Sequence, residues 1–370
     1  MAAAYRLSEP FFSVVLPTRD RPELARRVVA HTLRQGFGDY ELVVIDNGSD
    51  DRLGDLRDHF SDPRIRMVRT GWLSMHDNWQ RGFDEAHGRY VMMIEDKMFL
   101  VANALEACQR LLSSGDVVLL TWTNATCRGE DCETLRKVDA ITTEKIPSSE
   151  FLAYGAHSMI DYYQKKAPRA LNMVMEREFA LSVQSKVGRL FRPMAPDYSS
   201  GALLLPFCSE FTHCHQTLSR PLRGGPSTGA AVGRRTPEAE TFLDSLGMTR
   251  EELFSTVPLR IPFFSNLIVA DLMRFWRAAG LDETDLPLDV RGYYLMMLGE
   301  LLLAQEHGTP WRSECRQIRE SFFALPLSRR VAFFPYALAR FVSGWPNRKM
   351  RMRENLPKFL RALRLLLRGD

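Results

Sequence analysis

FFSVVLPTRDRPELARRVVAHTLRQG, residues 11–36, shows in one piece how this chain builds its structure. It opens with FFSVVLP, a nearly unbroken apolar run that suits a strand buried on both faces. Pro17 ends the run, and Thr18 and Arg19 follow. Asp20, with Glu23 three residues on and Pro22 between them, reads as a capped helix start. Apolar residues then recur at spacings of three and four through RPELARRVVAHTLRQ until Gly36 stops the helix. A strand, a short polar turn and an amphipathic helix make one βα unit. The fold depends on whether that unit repeats.

It does. ELVVID (41–46) is a second buried strand and runs through NGSDD into a helix over about 52–60. RIRMVR (64–69) is a third strand, followed by a helix over about 74–87 that ends at Gly88. YVMMIE (90–95) precedes the helix VANALEACQRLLSS, and DVVLLTW (116–122) is the next strand. Such alternation predicts the α/β class, with a mostly parallel sheet covered by helices on both faces. Ligands of such sheets sit outside the C-terminal strand ends. PTRDR (17–21), DNGSDD (46–51) and EDK (95–97) gather there, so the N-terminal third is the ligand-binding half.

Beyond residue 122 the pattern weakens. Helices are expected at 149–165 and 170–187, and APDYSSGALLL (195–205) reads as a Pro-led turn entering a helix. RPLRGGPSTGAAVGRRTP (220–237) has the composition of a long mobile loop. Six helices follow, over 237–256, 264–279, 286–306, 311–323, 328–343 and 354–368. The expected division is a domain over 1–235, with a nucleotide half at about 10–122 and an acceptor half at 123–235, and a mostly helical region over 236–370.

A chain of 370 residues with 45% hydrophobic and 25% charged composition has room for two such units. A net charge of +4 gives no reason to expect a nucleic-acid partner. Six cysteines are too few for a disulfide scaffold, and MAAAYRLSEP lacks the apolar core of a signal peptide. The expectation is a cytoplasmic protein with reduced thiols, Cys127 and Cys132 among them.

The order of these motifs resembles family 2 glycosyltransferases. The matching residues are SVVLPTRDRPEL (13–24), ELVVIDNGSDD (41–51) and DNWQRGFDEAHGRYVMMIEDKMFL (77–100), with a weaker echo from PDYSS (196–200) to LSRPLRGGPSTGA (218–230). The resemblance covers residues 10–120 well and leaves the C-terminal third uncovered. It implies the GT-A type of nucleotide-sugar-binding fold. It also implies an inverting transfer from a nucleoside-diphosphate sugar, UDP- or dTDP-linked, to a glycan or glycolipid hydroxyl in surface polysaccharide synthesis.

The resemblance places Pro17, Thr18, Arg19 and Asp46 around the base and ribose, with Asp46 accepting the N–H of uracil or thymine. Asn78 falls where the family often has an asparagine facing the donor; otherwise it is a polar residue on a solvated helix face. The family's Asp-x-Asp-type motif aligns with Asp96, Lys97 and Met98, so a thioether stands where the last metal-binding acid would be. Thioethers are poor ligands for Mg²⁺ or Mn²⁺. Two readings follow. Glu95 and Asp96 hold the divalent metal, or the ammonium of Lys97 replaces it against the diphosphate. A branch of the family carries an Asp-basic-Met sequence at this point.

The resemblance assigns the catalytic base to Asp197, which the sequence alone reads as a helix N-cap; Asp161 and Glu210 are weaker alternatives. Cys208, His213, Cys214 and His215 fit no familiar zinc spacing, and His215 is the choice for a third ligand at the donor metal. Arg220, Arg223, Arg234 and Arg235 either close over the diphosphate or belong to a solvated loop. In NLPKFLRALRLLLRGD, Leu356, Phe359, Leu360, Leu363, Leu366 and Leu367 oppose Lys358, Arg361, Arg364 and Arg368. That helix either rests on an anionic membrane, suiting a lipid-linked acceptor, or packs on its own domain. Two other functions fit less well. A sugar nucleotidyltransferase would carry a Gly-rich loop after the first strand, which PTRDRPEL lacks. The other is a non-catalytic nucleotide-sugar or glycan-binding protein of the same fold.

Overall fold

The computed structural model describes residues 9–369, apart from 49, 51, 114–115, 124, 135, 157–165, 224–230, 233–235, 282–284, 310 and 344–347. Asp161, Arg234, Arg235 and most of the Gly/Pro-rich loop lie outside the described residues. The chain divides into two compact units, one of residues 1–152 with 161–225, the other of residues 153–160 with 226–370.

The strands are β1 (Phe12–Thr18), β2 (Tyr40–Asp46), β3 (Ile65–Arg69), β4 (Tyr90–Met93), β5 (Met98–Leu100), β6 (Leu119–Trp122), β7 (Thr143–Pro147), β8 (Met173–Glu176), β9 (Glu210–Cys214) and β10 (Ser219–Pro221). The first helices are α1 (Pro22–Thr32), α2 (Leu56–Phe60), α3 (Met75–Asp84), α4 (Ala104–Leu112) and α5 (Ser148–Ala156). Eight strands form one sheet in the order β3-β2-β1-β4-β8-β6-β9-β7. β1 is parallel to β2 and β4, β2 to β3, and β6 to β9, while β8 and β7 run antiparallel to their neighbours. The fold class is the expected α/β, with a mostly parallel sheet.

The burial pattern explains the unbroken apolar strands. Phe12, Val14 and Leu16 pack with Ala25, Val28 and Val29 of α1 and with Ala104, Leu105 and Cys108 of α4. Helix α3 covers the other face. It approaches so closely that a Cβ on Gly82 would sit 2.6 Å from Val15 Cγ1 and 3.2 Å from Ile45 Cγ1. Each strand residue therefore meets a helix whichever way it points. Truncating one fully buried leucine here, such as Leu16→Ala, costs about 2–5 kcal/mol.

Several expectations are corrected. Asp20 does not cap α1: the cap position is Arg21, and Asp20 adopts a left-handed φ of 53°. The stretch 170–187 is not one helix. Met173–Glu176 forms β8, hydrogen-bonded between β4 and β6, and only Arg177–Val187 is α-helical. The sequence reading also missed β5, which pairs antiparallel with β10 in a second, two-stranded sheet. There Leu222 N donates to Lys97 O at 2.7 Å. That bond ties the residue after the acidic pair to the far end of this unit. Cys127 and Cys132 are joined in a disulfide rather than free. The bridge lies beside β10, where Arg220 is paired with Asp131 at 2.7 Å and buried.

The second unit is helical. Its helices are Pro237–Asp244, Arg250–Leu253, Phe264–Ala278, Val290–Glu306, Arg312–Phe323, Leu327–Ser343 and Arg348–Arg368. Thr249 and Glu252 form a reciprocal capping box, and Asp289 caps Val290–Glu306 through Arg291 N. Tyr293, Met297, Leu298, Leu301, Ile318, Phe322, Leu365 and Leu366 are buried in its core. No helix among the described residues is long and apolar enough to cross a membrane.

Candidate active site

The site begins where the ladder between β1 and β4 stops. Ile94 N donates to Val15 O at 2.9 Å, so the odd-numbered residues of β1 turn their backbone groups toward β4. Pro17 is the next of these and has no N–H to give. The ladder toward β2 continues to the register pair Thr18 and Asp46. The two strand ends flanking β1 thus separate, and three tips meet at one edge of the sheet. Thr18 Oγ1 donates to Asp96 Oδ2 at 3.0 Å, bridging the ends of β1 and β4.

On the β2 side, Asp46 is buried and its Oδ1 accepts from Gly48 N at 2.9 Å. Asn47 staples this tip to the loop before α3: its Nδ2 donates to Leu73 O at 2.9 Å, and its Oδ1 accepts from Leu73 N at 2.6 Å. Thr70 Oγ1 reaches Asn78 Oδ1 at 3.4 Å. Asn78 is only 3% exposed, so it does not lie on a solvated helix face. Trp72, 60% exposed, lies against the Arg19 guanidinium, 5.1 Å from the ring centroid. The exposed indole offers a flat apolar surface, and Asp46 a buried hydrogen-bond acceptor.

On the β4 side, Arg21 Nη1 donates to Asp96 Oδ1 at 3.2 Å, and Lys97 Nζ lies 3.7 Å from Glu95 Oε2. Desolvation pushes the Glu95 carboxyl up to about 7, against the opposing field of Lys97; Asp96 and Asp197 push the same way as desolvation. Asp197 is therefore among the charges felt at the β4 tip. It sits in the first turn of Pro196–Leu204, whose N-cap is Ala195, so its carboxylate is not the cap that the sequence suggested. Desolvation raises its pKa, opposed by the Arg169 guanidinium and the Tyr198 N–H. Arg169 itself donates to Tyr198 Oη at 3.1 Å. Helix Pro196–Leu204 lies so close to this segment that a Cβ on Gly201 would fall 1.9 Å from Pro168 O.

The donor set at the β4 tip is engaged by the protein's own groups. One Asp96 oxygen takes the Thr18 hydroxyl and the other takes Arg21. A lysine ammonium already faces Glu95. Two cationic side chains thus face the two acids. His215 lies elsewhere, near Glu144 and His213 on β7 and β9. Glu210 pairs with Lys145. Sequence reasoning missed Arg21, Asn47, Trp72 and Arg169. Arg21 lies inside the quoted PTRDR, and Trp72 lies between β3 and α3.

The family model described as Glycosyl transferase family 2 matches residues 13–163. A "PGL/p-HBAD biosynthesis glycosyltransferase" of Mycobacterium bovis is 29% identical over 91 residues, covering 24% of this chain and 36% of that protein. This chain thus spans well under half of that relative's length. The "GalNAc(5)-diNAcBac-PP-undecaprenol beta-1,3-glucosyltransferase" of Campylobacter jejuni is 22% identical over 203 residues, covering 50% of this chain and 66% of that one. Among solved structures, S. aureus TarS 1–349 in complex with UDP-GlcNAc matches with a TM-score of 0.44 at 10% identity, covering 96% of this chain and 81% of that one.

Proposed function

We propose, for a chain whose residues 13–163 match the model of glycosyltransferase family 2 and whose sheet is mostly parallel, a GT-A type of fold and an inverting transfer of a sugar from a UDP- or dTDP-linked donor to a hydroxyl of a glycan or glycolipid. The observation that carries the reading is the convergence at one sheet edge. Thr18 is the register partner of Asp46 and bonds Asp96 there, and Glu95 feels the charge of Asp197, from far along the chain. A nucleotidyltransferase or a non-catalytic binder has less need of a buried carboxylate brought to that edge.

In this reading the pyrimidine lies against Trp72, and Asp46 accepts its ring N–H. Thr18, Arg19 and Asn78 line the nucleoside. Lys97 and Arg21 supply the positive charge that meets the diphosphate, and Asp96 holds Arg21 in place. Asp197 takes the proton from the acceptor hydroxyl. The acceptor oxygen attacks the anomeric carbon from the opposite face, and the bond to the diphosphate oxygen breaks. The nucleoside diphosphate leaves with the electron pair.

The relative from C. jejuni is named for an undecaprenol-linked acceptor. A lipid-linked acceptor suits the last helix, Arg348–Arg368. Leu356, Leu360 and Leu367 are exposed there, next to Arg361, Arg364 and Arg368. We place that stripe on the anionic surface of a membrane, at its cytoplasmic face.

The test is thermal shift with UDP, dTDP and GDP, each with Mn²⁺ and with chelator. Stabilisation by UDP or dTDP that survives the chelator, and disappears in Lys97→Met, is expected. A strict Mn²⁺ requirement would return the charge-balancing role to a metal held by Glu95 and Asp96.

A further inference from the structure

We propose that Glu144, His213 and His215 form a second site, for a transition-metal ion of the zinc class, at the outer edge of the large sheet. Glu144 on β7 is the register partner of His213 on β9, and His215 is two residues further on. Side chains repeat every second residue on a strand, so all three project from one face. Their ligand atoms lie within 4.8 Å of one another. Two imidazoles and one carboxylate suit Zn²⁺ with one open position. Bonds of about 2.0–2.2 Å would need these atoms roughly 1 Å closer together. Glu144 and His215 keep 36% and 42% of their side-chain surface, so both have room to move.

The buried member is already oriented. His213 is fully buried, and its Nδ1 lies 2.8 Å from Thr121 Oγ1. Metal-bound histidines are commonly fixed through the other ring nitrogen in this way. Nε2 faces the Thr123 hydroxyl at 3.3 Å, so an ion there must turn that hydroxyl aside. Lys166 Nζ is hydrogen-bonded to Glu144. An ammonium on the carboxylate stands where the charge of a bound cation would come, so binding must displace it.

This site is not the donor site. Between β4 and β9 stand β8 and β6, about 14 Å of sheet at roughly 4.8 Å per strand. The charges acting on His213 are His215, Lys166 and Glu144; those acting on Glu95 are Lys97, Asp96, Asp197 and Arg21. An ion here would pin the edge strand β7 to β9.

The experiment is titration of the full chain with Zn²⁺ by calorimetry, and with Co²⁺ by visible absorption. One ion per chain is expected, with the absorption of a low-coordinate Co²⁺ complex and a rise in Tm on Zn²⁺ addition. His215→Ala and Glu144→Gln, whose side chains are partly exposed, should each weaken binding 10-fold or more, with their metal-free circular dichroism unchanged. Lys166→Met should tighten it. Absence of binding, or binding that survives both substitutions, would overturn the proposal, as would binding that is lost in Asp96→Asn.

Discussion

Asp197 meets the Tyr198 N–H and the field of Arg169, yet desolvation outweighs both and its pKa is raised. For a general base the anion is the working form. Activity should therefore fall as pH drops through that raised value, at a higher pH than the ordinary aspartate value of 3.8 would give. Asp197→Asn is expected to lower kcat by about 10²–10⁴ and to leave UDP binding unchanged. Steady-state rates and calorimetric UDP titration on the same preparations check this. A variant that kept its rate would remove Asp197 from the chemistry. At this scale the sequence was legible where strand ends carry the chemistry. Pro17, Thr18, Asp46 and Asp96 sit at C-terminal tips of parallel strands, where any α/β sheet presents its ligand. Arg21, Trp72 and Arg169 were not legible, because their places depend on how loops fold back across the sheet edge. His215 falls beside Glu144 and His213, a neighbourhood that no spacing rule gives.

Helix Pro196–Leu204 is aimed by its own close approach to the preceding segment. Gly201 permits that approach, since any Cβ would meet the Pro168 carbonyl. Backbone cannot swing aside as a side chain does, so Gly201→Ala must shift the helix and carry Asp197 with it. A loss of about 1–3 kcal/mol in stability is expected, together with a fall in kcat larger than the change in UDP affinity. Urea unfolding and kinetics would separate the two effects, and a variant with wild-type kinetics would show that the helix position does not matter. The sequence reading found this helix because Pro196 marks its start. It misread β8 because Met173, Met175 and Glu176 are ordinary helix formers. Their strand geometry comes from β4 and β6, which accept them on both sides. It missed β5 and β10, short strands that exist only by pairing with each other. The disulfide between Cys127 and Cys132 was likewise not visible in spacing alone.

The repeated βα units wrote the α/β class into the first hundred residues, while the role of the helical unit was left open by its pattern. There the structure divides the apolar residues of the last helix. Ala362, Leu365 and Leu366 are buried, and Arg319 Nε donates to Leu366 O at 3.1 Å. Leu356, Leu360 and Leu367 remain 41–52% exposed. Packing thus uses one side of the helix and leaves the other side exposed. The protein should co-sediment with vesicles containing anionic lipid and not with neutral ones. Leu356→Ser combined with Leu360→Ser should release it without lowering Tm. Equal retention on both vesicle types would refute the membrane role.

The whole account depends on a nucleoside diphosphate lying across the tips of β1, β2 and β4, and a crystal of the full chain soaked with UDP in the presence of chelator tests this most directly. The uracil is expected between Trp72 and Asp46, with the diphosphate against Lys97. Density at any other surface, or a diphosphate turned away from Lys97, would contradict it.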